Sequence, residues 1–367
     1  MKDTTQSVVL GILGGGQLGR MSAMAAARLG ISVIIYCPEE NSPASQVALH
    51  TITAAYDDKS ALQIFSDKCD FISYEFENIP VETIDYLEQL KPDTLYPKRG
   101  LLDVSQDRIK EKKFLNDNDI ETTRWAEISS LDDIIRITQD WNCDGFILKT
   151  ARFGYDGKGQ IKCDTKSLEN NSALSSFLND TKGQALIMED LVDFECEVSV
   201  VIARDKHEKT MSYGPMLNEH KNHILHTTTV PCGISKELEE QTLNIAQSVS
   251  NCVALRGVLT VEYFICTDGR VLVNEIAPRT HNSGHWSIDA CSVSQFENHI
   301  RTVCALPVGS SDNHSNAVML NLIGDDIRLI QEHYDTVSAC VHDYGKNEVR
   351  EGRKMGHITF LKPNITE

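Results

Sequence analysis

VLTVEYFICTDGRVLVNEIA, residues 258–277, is two apolar runs joined by a turn signal. Asp268-Gly269 is a strong two-residue hairpin cue. A turn centred there sets Glu262 directly opposite Glu275, on one face of the ribbon. Like charges in that position repel. Divalent cations shared with nucleotide phosphates remove the conflict, and magnesium favours one or two carboxylates plus phosphate oxygens. The plainer reading is two solvated surface glutamates. Apolar neighbours on both strands favour the metal.

Outward from the hairpin the chain adds chemistry on both sides. Downstream, NEIAPRTHNSGHWSIDA (274–290) packs Arg279, His281, Asn282, Ser283 and His285 around Gly284, the density of a substrate loop. YGKNEVREGRKMGH (344–357) is locally basic in an acidic chain, so Lys346 and Arg353 are candidates for a phosphate clamp. Upstream, GFILKTARFGYDGKGQ (145–160) ends an apolar strand on Lys149, unusual for a lysine unless it is paired. Its glycines make a loop whose N–H groups can wrap phosphates. No Walker sequence occurs. In ALIMEDLVDFECEVSV (185–200), Glu189 to Val192 leave a strand and Glu197 follows. An exposed strand edge there suits an adenine, and a carboxylate suits ribose hydroxyls. An acidic loop between strands is an equal alternative.

Farther out, the first hundred residues alternate strand and helix, which means a parallel α/β sheet. VVLGIL, ISVIIY, HTITA, DFISYEF and TLYP read as strands, and VSQDRIKEKKFLNDND as one charged helix. GILGGGQLGRM (11–21) satisfies G-x-G-x-x-G at Gly14, Gly16 and Gly19. A dinucleotide site also wants an acid at the end of the second strand. That strand ends on Tyr36 and Cys37, with Glu39 and Glu40 only later.

The bulk numbers set limits. A chain of 367 residues predicts two or three domains. A net charge of -18 argues against nucleic acid or an anionic membrane as main partner. The 11 cysteines contain no C-x-x-C, so reduced thiols in the cytoplasm are expected and a zinc site is not. No apolar run approaches the roughly 18 residues of a membrane span. VVLGILGGG is too glycine-rich for a signal peptide.

Taken in order, these pieces resemble the ATP-grasp superfamily. Within it they resemble the N5-carboxyaminoimidazole ribonucleotide synthetase family of purine biosynthesis. The residues carrying the likeness are GILGGGQLGRM, YEFENI (74–79), QDR (106–108), YDGKGQ (155–160), NEHKNHIL (218–225), NEIAPRTHNSGH, SQFENHI (294–300), NLIG (321–324) and GRKMGH (352–357). They span nearly the whole chain, and HNSGH with GRKMGH is the specific part.

The resemblance implies an α/β ATP-grasp fold. A Rossmann-like pre-ATP-grasp domain would fill residues 1–100, an ATP-grasp domain 101–305 with a lid at about 115–185, and a β-rich segment 306–367. It implies an ATP-dependent C–N ligase that carboxylates 5-aminoimidazole ribonucleotide with bicarbonate through carboxyphosphate, using magnesium. A homodimer is also implied. ATP would meet Arg108, Lys149, Gly154, Tyr155, Asp156, Gly157, Lys158, Gly159, Glu189, Asp190, Leu191, Val192, Glu197, His220, Asn274 and Glu275. Glu262 and Glu275 would hold the metal. The ribonucleotide would meet Gln17, Leu18, Glu75, Lys346 and Arg353. Asp156, Arg279, His281, Asn282 and Lys346 would carry the chemistry.

Two positions depart from the family pattern. Phe153 stands where a loop glycine is usual. Ala277 stands where many ATP-grasp enzymes place an asparagine. Three competitors remain open: a nicotinamide dehydrogenase, another ATP-grasp ligase acting with formate or biotin, and a non-catalytic nucleotide-binding regulator.

Overall fold

The computed structural model describes residues 8–152, 154 and 159–363. Its strands form three sheets. The first is parallel, with β1 (Val9–Leu13), β2 (Ser32–Cys37), β3 (His50–Thr53) and β4 (Phe71–Tyr74) in the order β3-β2-β1-β4. The β-branched and apolar run SVIIYC makes β2 a buried strand. Helix Gln17–Arg28 lies against it through Leu18, Met21 and Ala25, which repeat at helical spacing. TLYP does not become a fifth strand. Leu95 makes one bridge to Ile72, and Pro97, which has no N–H, ends the pairing.

The second sheet is antiparallel: β5 (Trp125–Ile128), β6 (Gly145–Thr150), β7 (Gln160–Asp164) and β8 (Leu186–Asp190), ordered β5-β8-β6-β7. The expected charged helix before it is two helices, Arg99–Ser105 and Arg108–Asp117. The break falls at Gln106-Asp107. Asp107 caps the second helix by accepting from the N–H groups of Ile109 and Lys110.

The third sheet has eight strands: β9 (Phe194–Arg204), β10 (Thr210–Lys221), β11 (Ile224–Val230), β12 (Gly257–Cys266), β13 (Val271–Ala277), β14 (Ser315–Ile323), β15 (Ala339–Asp343) and β16 (Lys354–Pro363). Their order is β13-β12-β9-β10-β11-β14-β16-β15, so the C-terminal strands extend the central sheet. Helix Gln295–Val303 joins the first sheet to the third. Phe296, Ile300 and Val303 pack with Leu18 and Met21, and His299 Nε2 lies 2.9 Å from Ser73 Oγ.

The β12–β13 hairpin sets Glu262 opposite Glu275, by a different route from the one expected. The loop has three residues, Thr267-Asp268-Gly269, closed by Cys266 N–H donating to Arg270 O at 2.9 Å. Gly269 supplies the left-handed residue at φ 86°. That turn pairs Tyr263 with Val273, one residue off the expected register. A bulge then takes up Asn274 and restores the pairing at Glu262 and Glu275.

Candidate active site

Each of the two opposed glutamates has a basic side chain against it. Glu275 Oε2 accepts from Arg108 at 3.2 Å, and Glu262 Oε1 lies 3.0 Å from His281 Nε2. Burial pushes the Glu262 carboxyl up, but His281, His220 and Arg279 outweigh it and hold it at about 2. Arg108 ties three elements together. Its backbone N–H donates to Ala151 O at 2.9 Å and its guanidinium to Gly154 O at 3.3 Å, beside the bond to Glu275.

Behind the pair sits Lys112, which the sequence reading missed. It is 2% exposed, and burial lowers its pKa. Its ammonium donates to Asn274 O at 2.8 Å and lies 3.8 Å from Glu189. Glu111, also missed, accepts from Ile276 N–H at 3.1 Å, and burial plus the charge of Glu275 raise its pKa to about 8. Both look like surface charges of a helix in the sequence; only the docking of that helix on β13 buries them.

The apolar-strand lysine is paired, as its position demanded. Lys149 donates to Glu189 Oε2 at 2.6 Å. Burial pushes the Glu189 carboxyl up, yet Lys112 and Lys149 together hold it at about 2. Gly159 takes φ 72°, and its carbonyl accepts from Thr150 N–H at 2.8 Å. Tyr155, Asp156, Gly157 and Lys158 lie outside the described residues, as does Phe153. At the strand exit, Asp190 is engaged by Arg124, while Leu191 and Val192 are half-buried. Glu197 Oε2 lies 2.9 Å from His220 Nδ1, and that contact raises the His220 pKa against the pull of burial.

The loop after β13 holds the third group. Arg279 donates to Glu77 Oε2 at 2.5 Å. Burial pushes the Glu77 carboxyl up, and Arg279 brings it down to about 2. The field of Arg279 also reaches Glu75, Glu262 and Glu275, so one guanidinium connects both ends of the site. Glu77 was legible only as the second acid of YEFEN. Asn282 is 8% exposed, and among the described residues neither its amide oxygen nor its nitrogen has a partner.

The first glycine loop is filled from within. Glu75 accepts from Gly16 N–H and, at 2.7 Å, from Gly19 N–H, which puts a carboxylate at the start of helix Gln17–Arg28. A Cβ on Gly14 would meet Glu75 Cγ at 2.4 Å, and one on Gly15 would meet Ser42 Oγ at 2.4 Å. The glycines therefore make room for protein atoms where a dinucleotide phosphate would sit. Gln17 is half-buried at the first turn, and the Leu18 side chain is in the core. Burial raises the Glu75 carboxyl against the opposing field of Lys346, whose ammonium donates to Lys354 O at 2.5 Å. Its loop docks on the first domain, with Gln46 Nε2 donating to Gly345 O at 2.7 Å. Arg353 turns into its own loop and donates to Glu348 O at 2.9 Å.

A second cluster, Asp289, His342 and His357, brings three donor atoms within 4.8 Å. His342 Nε2 already bonds Asp289 at 2.8 Å. The two imidazoles stack at 4.3 Å and 11°, so their lone pairs run parallel instead of converging on one ion.

Comparison with known proteins matches the whole chain. Residues 8–106 match the ribonucleotide synthetase preATP-grasp domain, 113–296 the ATP-grasp domain, and 317–367 the phosphoribosylaminoimidazole carboxylase C-terminal domain. The chain is 46% identical to the N5-carboxyaminoimidazole ribonucleotide synthase of Brucella melitensis biotype 1, over 96% of each chain. It is 38% identical to that of Bacillus subtilis, over 96% of this chain and 91% of the other. A crystal structure of an ADP complex of N5-carboxyaminoimidazole ribonucleotide synthetase superposes with a TM-score of 0.92 at 35% identity, covering 100% of this chain and 95% of that one. The Aspergillus clavatus enzyme, in complex with ADP and 5-aminoimidazole ribonucleotide, gives 0.89 at 26%, covering 98% and 95%. The chain belongs to the N5-carboxyaminoimidazole ribonucleotide synthase family, in the ATP-grasp fold.

Proposed function

We propose that this member of the family carboxylates 5-aminoimidazole ribonucleotide with bicarbonate, using ATP and releasing ADP and phosphate. Asn282 carries the reading. A buried amide with both ends unpartnered among the described residues suits a ligand that donates and accepts. Bicarbonate does both, whereas formate only accepts. The amide stands next to His281, which touches Glu262.

Bicarbonate attacks the γ-phosphate of ATP to give carboxyphosphate. Lys149, Lys158 and Arg108 supply positive charge along the phosphates. Glu262 and Glu275, an all-oxygen pair, fit magnesium, which when bound neutralises charge shared by the phosphate oxygens. Arg279, His281 and Asn282 hold the oxygens of bicarbonate and of the carboxylate made from it. Carboxyphosphate, or carbon dioxide released from it, then meets the exocyclic amine of the ribonucleotide, which Asp156 orients or deprotonates. Glu75, Gln17 and the backbone at Leu18 face the sugar, and Lys346 with Arg353 takes its phosphate. Glu189 to Val192, Glu197, His220 and Asn274 complete the ATP end. Among the described residues no helix is long and apolar enough to cross a membrane. A cytoplasmic homodimer accompanies this reading.

The test is ADP release in bicarbonate buffer with and without the ribonucleotide. Strong stimulation is expected, and its absence overturns the proposal. Glu262→Gln is expected to abolish release while leaving the fold intact.

A further inference from the structure

His281 touches a candidate metal ligand on one side and a buried chain of hydroxyls on the other. Its Nδ1 lies 2.8 Å from Ser283 Oγ and 3.3 Å from the backbone N–H of Ser283. A backbone N–H only donates, so Nδ1 is an acceptor. The hydroxyl side agrees. Thr228 Oγ1 donates to Asn218 Oδ1 at 3.1 Å, and Asn218 Nδ2 donates to Ser199 Oγ at 2.8 Å. Ser283 turns its hydrogen to the accepting Nδ1 of His281, which leaves its oxygen free to accept from Ser199 Oγ at 2.8 Å. Thr228, Ser199 and Ser283 are each 0% exposed and Asn218 5%, so water does not compete.

The sheet explains why the chain runs this way. Ser199 is the direct cross-strand partner of Glu262, and Asn218 of Thr228. One row of side chains thus leads across β12, β9, β10 and β11 to the underside of the site.

We infer that this buried row locks His281 as the tautomer with its proton on Nε2, so that it donates to Glu262 Oε1, 3.0 Å away, and holds that carboxylate in place. Ser283, Ser199 and Asn218 are positioning residues, since each acts only through His281. An imidazole fixed in this sense takes no proton through Nε2, which leaves the amine's proton to another group. The part Glu262 plays in the reaction rests on the proposed carboxylation; the tautomer does not.

The test uses the full chain labelled with 15N-histidine, with His281 assigned by difference against His281→Gln. Two-bond 1H–15N correlation is expected to show Nδ1 unprotonated and Nε2 protonated. Ser199→Ala removes the donor to Ser283, so both nitrogens are expected to move toward an averaged position. kcat is expected to fall on the order of ten-fold with the KM for ATP unchanged. Ser199→Thr, which keeps the hydroxyl, restores both. Thr228→Val gives the same spectral shift, smaller, and serves if Ser199→Ala does not fold. A protonated Nδ1 in the unaltered protein overturns the inference. So does Ser199→Ala with unaltered spectra and kcat. The expected spectra without ribonucleotide-stimulated ADP release would sink the carboxylation and leave the tautomer lock standing.

Discussion

Two buried carboxylates face positive charge at opposite ends of the site, and they settle differently. Glu189 meets two lysine ammonium groups and stays ionised down to about 2. Glu75 meets two backbone N–H groups at a helix start, and burial wins: its pKa is raised, although Gly19, Gly16, Arg279 and Lys346 all pull it down. Whole charges at 2.6 Å and 3.8 Å offset desolvation, whereas partial charges of a helix terminus do not. The nucleotide end is therefore a fixed electrostatic frame. The sugar end holds a carboxylate whose charge depends on what else arrives.

The most severe way to break this contrast is Lys112→Met. It leaves Glu189 with one lysine and frees the Asn274 carbonyl. A loss of about 3–5 kcal/mol is expected, as for other buried pairs stripped of one partner, read by urea unfolding. Next comes pH. The folded value of Glu189 lies below its unfolded one, so its contribution is present above about 4.5 and is lost as pH falls toward 2, on the order of 3 kcal/mol in full. Glu75 has the opposite sign: the folded chain keeps its proton longer, so stability declines as pH rises past its unfolded value. Unfolding of Glu189→Gln and Glu75→Gln across pH 3–7 should therefore lose slopes of opposite sense, and parallel slopes would end the comparison. At pH 7, Glu75→Gln is expected to cost about 1–2 kcal/mol, because the amide accepts from only one of the two N–H groups. It should raise the KM for the ribonucleotide and leave that for ATP alone. The mildest probe is Gly16→Ala. The new methyl would sit 2.6 Å from Glu75 Oε1, so it displaces the carboxylate without removing it. A similar but weaker shift in the ribonucleotide KM, about three-fold, is expected from kinetics.

The same contrast explains what could be read from the sequence. Glu262 and Glu275 were legible because a hairpin is local, even though the turn was one residue longer than expected and a bulge at Asn274 corrected it. Lys149 was legible because a lysine ending an apolar strand must find a partner. Lys112 was not, since RIKEKKFLND has the composition of a solvated helix and its burial depends on a strand 161 residues away. Glu77, Ser199 and Gln295 were missed for the same reason. Gln295 clamps both the N–H and the carbonyl of His281, at 2.9 Å and 2.6 Å, yet nothing within its own helix announces it. Strand and helix types followed from periodicity in most places. TLYP failed because a short apolar stretch before proline cannot continue a ladder, and the charged helix split because Asp107 starts a new one.

The order β11-β14-β16-β15 also has a consequence for synthesis. Until the ribosome has delivered β14, the outer edge of β11 stands open, and ILHTTTV offers a row of unpaired N–H and carbonyl groups. More than eighty residues separate the two strands, during which the catalytic hairpin is already made. The last strands are thus a seam that shields a finished ligase core from pairing with its neighbours on the polysome.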